Sequence, residues 1–95
     1  MAYRIDIYIG SDNGSRKIGR DYLDKITHWA SRVFPSGYTL TRGRGYYDGA
    51  HEESLVLSVL TDYNASLRDY LSELKGELGQ KSILLSRYHV NVENV

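Results

Sequence analysis

Three observations predict an α+β chain in which two helices lie on one face of a four-stranded antiparallel sheet. Apolar residues alternate with period two near the start, recur at helical spacing in two later segments, and return to strand-like runs after each helix. The order they imply is βαββαβ, the split-βαβ or ferredoxin-like arrangement. At 95 residues the chain reads as one domain, 1–95, with no linker and no internal repeat.

In Tyr3-Arg-Ile-Asp-Ile-Tyr-Ile9 the residues Tyr3, Ile5, Ile7 and Ile9 share one face of a strand, which the polar cluster from Gly10 to Lys17 ends. Tyr22, Ile26, Trp29, Ala30 and Val33 then fall on one side of a helix, stopped by Pro35-Ser36-Gly37. Residues 38–47 read as a second strand that weakens towards its glycines. Ser54 to Thr61 reads as a third strand, apolar on both faces. Leu67, Tyr70, Leu71, Leu74 and Leu78 mark a second amphipathic helix, with Asn64 as its cap and Gly79 as its stop. Ile83 to Val92 is the last strand. Helices on one face leave Val56, Leu60, Leu84, Tyr88, Val90 and Val92 on the other, so a second copy of the chain is expected to cover that face.

Composition narrows the function classes. Twelve basic and twelve acidic residues balance, which argues against a nucleic-acid footprint across the whole surface. There is no cysteine, so disulfide and thiolate chemistry are excluded. No apolar run approaches the ~20 residues of a membrane span, and Met1-Ala2-Tyr3-Arg4 does not open a signal peptide; a cytoplasmic protein is expected. A chain this short gains from oligomerisation, since a small monomer buries a modest share of its surface. Nine tyrosines stand against one tryptophan and one phenylalanine, and a ring with a polar tip suits half-buried surfaces and binding faces.

The glycine loop "GSDNGSRK", Gly10 to Lys17, lies between a strand and a helix, but its spacing does not fit a phosphate-binding P-loop and Ile18 follows the lysine, so it reads as a connection. Gly43, Gly45 and Gly49 are one residue too widely spaced for a dinucleotide fingerprint and lead into a strand. "RGRGY" has the glycine–aromatic flavour of an RNA-binding strand, though on the second strand rather than the third; single-stranded RNA binding is the minor alternative. His51, Glu52 and Glu53 lack the further ligands a metal site needs, and no nucleophile–base pair is visible. Neither catalysis, a metal nor a cofactor is therefore expected, and the carboxylates are expected to pair with Arg42 or Arg44 or to face water.

The chemistry concentrates in "TRGRGYYDGAHEES", Thr41 to Ser54. Arg42 and Arg44 alternate onto one side of a strand, as paired guanidinium forks suited to phosphate. Tyr46 and Tyr47 point to opposite sides, so one ring can stack on a given ligand, and the glycines let a ligand approach the backbone. That set suits an anionic, aromatic molecule such as a nucleotide. It equally suits a subunit or protein contact, where arginine and tyrosine are enriched.

The stretch "GYTLTRGRGYYDGAHEESLVLSVL" resembles the second strand, a shortened T-loop and the third strand of the PII-like and CutA-like proteins. "KGELGQKSILL" is similar to that group's second glycine loop, whose core resembles TGxxGDGK; Gly76, Gly79 and Lys81 are kept, Lys75 stands for the threonine and Gln80 for the aspartate. The resemblance implies a homotrimer whose sheets face its centre, binding a nucleotide-like ligand between subunits without turning it over. By that reading Arg42, Arg44 and Lys81 meet phosphates, Tyr46 or Tyr47 stacks on the base, and Glu53 accepts from a sugar or base. The 46–53 loop would reorder in a sensor. Sequestering a signalling nucleotide would be an economical task for a small domain such as those viruses carry.

Overall fold

The computed structural model describes residues 2–62 and 65–95, with the backbone alone for Tyr47. The elements are β1 (Ala2–Gly10), α1 (Arg20–Val33), β2 (Thr39–Tyr47), β3 (Ala50–Thr61), α2 (Leu67–Leu78) and β4 (Leu84–Val90). The strands form one antiparallel sheet in the order β2-β3-β1-β4, so the fold is ferredoxin-like. The expected Asn64 cap of α2 lies outside the described residues. Among the described residues no helix is long and apolar enough to cross a membrane.

Register decides what is buried. Ile5, Ile7 and Ile9 of β1 pair with Val59, Leu57 and Leu55 of β3, and directly paired residues share a face. These six side chains form the floor on which the helices pack, through Tyr22, Ile26, Trp29 and Ala30 of α1 and Leu67, Leu71, Leu74 and Leu78 of α2. Each fully buried Ile or Leu contributes about 1.5–3 kcal/mol. Trp29 adds direction, because its indole N–H donates to the Tyr70 carbonyl at 2.9 Å and ties α1 to α2. An Arg32–Glu73 ion pair joins the same helices at the surface.

Two elements differ from expectation. The third strand begins at Ala50 rather than Ser54, because β2 and β3 pair without a break down to Tyr47 and Ala50. Only Asp48 and Gly49 turn, with φ of 50° and 77°, the positive pair that a tight two-residue hairpin requires. Residues 46–53 are thus a hairpin tip and not a shortened T-loop. The last strand is also shorter, ending at Val90, so Val92 lies beyond it.

The other face of the sheet carries Arg4, Asp6 and Tyr8 of β1 beside Val56, Ser58 and Leu60 of β3 and Leu84, Ser86, Tyr88 and Val90 of β4. Leu60 is 57% exposed and Leu84 67% exposed, while Tyr8 and Tyr88 are also open to solvent. At the centre sits Asp6, only 5% exposed.

Candidate functional site: a basic cavity beside the β2–β3 hairpin

The hairpin pairs Arg42 with Leu55, Arg44 with Glu53 and Tyr46 with His51, all on the helix side of the sheet. Against that side packs the segment that links β1 to α1. Its shape is set locally: the Asp12 Oδ1 accepts the amides of Gly14 (2.9 Å) and Ser15 (3.0 Å). The Arg16 amide donates back to the Asp12 carbonyl at 2.8 Å. Those Ser15 and Gly14 amides hold the Asp12 carboxyl below its ordinary range. Arg16 itself has φ 58°, a left-handed conformation that a side-chain-bearing residue adopts at a cost.

Three contacts then fasten this segment to the hairpin. The Glu53 amide donates to the Arg16 carbonyl at 3.2 Å. Glu53 Oε2 accepts the Ile18 amide. Arg42 Nη2 donates to the Ile18 carbonyl at 2.7 Å. The result is a cavity of about 510 Å³ lined by Arg16, Lys17, Arg42, Gly43, Arg44, His51, Glu52 and Glu53. Two basic pairs, one from the connecting segment and one from β2, therefore share a single concave surface.

The site residues expected from sequence divide. Arg42, Arg44 and Glu53 are brought together on the cavity wall. Tyr46 stands beside it, 69% exposed, with its ring edge-on to His51 at 5.2 Å between centroids. The side chain of Tyr47 lies outside the described residues. Lys81 is not on this wall. The expected second glycine loop is largely helix, since α2 runs through Gly76 to Leu78. Only the turn after Gly79 remains; it packs on the 11–13 segment through Asn13 Nδ2 to the Gly79 carbonyl (3.3 Å) and Gln80 Nε2 to the Ser11 carbonyl (2.7 Å). The expected pairing of carboxylates with Arg42 or Arg44 is also replaced: Glu53 takes the Ile18 amide and Glu52 takes the Ser11 hydroxyl at 3.1 Å. Backbone and hydroxyl donors inside the fold outcompete an exposed ion pair, whose net contribution is small.

Arg16 and Lys17 were not foreseen, although "SRK" directly follows an Asx-turn sequence that gives this segment its shape. Nor was the cluster on the open face. There Asp6 accepts from Tyr88 Oη (2.7 Å), Ser58 Oγ (2.8 Å) and Arg4 Nε (3.1 Å). Tyr88 foremost, then Ser58 and Arg4, hold its carboxyl below the usual range against the opposing effect of burial. Arg4 also lines a second cavity of about 490 Å³, with Ser36, Thr39, Thr41 and Ser58 among its walls. Among the described residues no three His, Asp or Glu side chains group as metal ligands.

No protein-family model matches the chain, and no curated protein sequence does. Solved structures do. A DUF3240 family protein from Shewanella baltica OS155 superposes with a TM-score of 0.59 over 98% of this chain and 94% of its own, at 10% identity. A dimeric ferredoxin-like protein of unknown function from Thermobifida fusca YX gives a TM-score of 0.47 over 94% and 92%, at 12% identity. At such identity the first likeness speaks for the fold alone.

Proposed function

We propose that the protein binds a phosphorylated, nucleotide-like small molecule in the hairpin cavity and does not turn it over. One observation carries this reading: Arg16 and Lys17 converge with Arg42 and Arg44 on one cavity of ligand size. Cations on two walls can meet phosphate oxygens from both sides, and an arginine fork gives direction as well as charge. Arg16, Lys17 and Arg44 are the phosphate contacts in this reading, and Tyr46 with His51 offers ring surface beside them. The exposed Leu60 and Leu84 around the Asp6 cluster support self-association, and the βαββαβ layout, which resembles that of the PII-like and CutA-like proteins, favours a trimer, with sensing or sequestration of a signalling nucleotide as the use.

Titration calorimetry against ATP, cyclic dinucleotides and ADP-ribose derivatives tests the proposal. Binding by at least one is expected, and Arg44→Ala should weaken it by about 1.5–3 kcal/mol, the scale of a charge-assisted hydrogen bond. The same substitution should leave the melting temperature nearly unchanged, because the exposed Arg44 side chain adds little to folding. Absence of heat with every member of the panel would contradict the reading.

A further inference from the structure

We infer that Arg42 and Glu53 are positioning residues: they clamp the Ile18 backbone from its two polar ends, and so hold Arg16 and Lys17 in place as the second cationic wall. The inference rests on the phosphate-cavity reading for its functional meaning, but the clamp itself is a matter of local geometry. Ile18 presents its amide to the Glu53 carboxylate and its carbonyl to the Arg42 guanidinium. A carboxylate suits the first and a guanidinium the second, and charge-assisted hydrogen bonds of this kind are roughly twice as strong as neutral ones. Glu53 grips the same segment with its own amide, through the Arg16 carbonyl. Lys17 is thereby held between two fastened neighbours.

Ile18 anchors the other end of the lever. Its side chain is buried in the core cluster, so the clamp joins the core to the wall through one residue. The left-handed φ of Arg16 must be imposed by its surroundings, since a residue with a side chain adopts such a conformation only at a cost. The Asp12 turn on one side and the clamp on the other supply that constraint. Glu53 is then a carboxylate that assists an anion site by placing its cations, although its own charge opposes the anion.

That conflict of signs makes Glu53 the informative position. Truncating Arg42 removes a positive charge and the clamp together, and weakens anion binding on either account. Glu53→Ala removes a negative charge, which by electrostatics alone should strengthen anion binding; loss of the clamp should weaken it. Glu53→Gln keeps an oxygen for the Ile18 amide while removing the charge.

The experiment measures inorganic pyrophosphate binding by calorimetry and the exchange of the Ile18 amide proton by NMR, in wild type, Glu53→Ala and Glu53→Gln. Glu53→Ala should exchange Ile18 about tenfold faster or more, the scale of one lost hydrogen bond to a charged group, and should bind pyrophosphate more weakly than wild type. Glu53→Gln should keep the Ile18 amide protected and bind more tightly than wild type. An unchanged Ile18 exchange rate in Glu53→Ala would overturn the clamp, as would tighter binding by that variant. Failure of the wild type to bind pyrophosphate would count against the phosphate cavity, while the exchange rates would still decide the clamp.

Discussion

Asp6 shows how much one side chain can decide. It lies in the middle of a sheet face, nearly inaccessible to water, and is kept charged by Tyr88, Ser58 and Arg4. A carboxyl held below its unfolded value stabilises the fold at pH above that value, about 3.9 for aspartate. The stabilisation is lost as pH falls through the lower folded value. Asp6→Asn should therefore melt below wild type at neutral pH, and the gap should narrow as pH falls below the ordinary aspartate value of about 3.9. Thermal melts from neutral to acid pH check it; a constant gap would assign the loss to packing instead. Residues of this kind are hard to read in advance. Arg42 and Arg44 were visible because strand alternation puts them on one side. Arg16 and Lys17 were not, because their place depends on Glu53, which bonds to Ile18 from 35 positions away, and on Arg42, which does so from 24.

Secondary-structure elements are fixed by short signals, and some of these compete. "DG" at Asp48–Gly49 is a strong hairpin signal, yet the polar run His51-Glu52-Glu53 resembles loop composition and hid the first turn's worth of β3. The run is strand because each of its residues has a partner on β2. Gly76 and Gly79 illustrate the same ambiguity. Both fit a glycine loop as well as a helix end, but Gly76 is helical and Gly79 is the expected left-handed stop of α2, with φ 67°. Neither would meet another atom within 4 Å on gaining a Cβ. Their alanine variants should differ in sign. Gly79→Ala should cost about 1–2 kcal/mol from the left-handed backbone, whereas Gly76→Ala should gain about 0.5–1 kcal/mol from helix propensity. Urea denaturation of both variants checks this, and equal effects would show that α2 ends elsewhere in solution.

At the scale of the molecule, the βαββαβ order was legible because two periodicities alternate and each apolar stripe needs a sheet to cover it. The number of copies was not, since a face such as the open one here is suited to more than one symmetry. Tyr8, Leu60, Leu84 and Tyr88 are exposed on that face around the Asp6 cluster. Arg4 answers the charge of Asp6 within the chain, so the face as a whole suits a further copy of itself. On the proposed self-association, Val56→Glu should leave the fold intact and yield a monomer, since an unpartnered charge in a buried interface costs several kcal/mol. Sedimentation at micromolar concentration should show an assembled wild type and a monomeric variant; a monomeric wild type would remove the interface.

The most direct test of the phosphate cavity is the map of amide chemical-shift changes when ATP is titrated into isotope-labelled protein. Among the concave surfaces of the described residues, the one beside the hairpin and the one around Arg4 share no residue. Changes concentrated at Arg16, Lys17, Arg44 and His51, saturating with a single affinity, are the predicted result. Changes confined to Arg4, Thr39 and Ser58, or no change with ATP, cyclic dinucleotides and ADP-ribose derivatives titrated in turn, would contradict it.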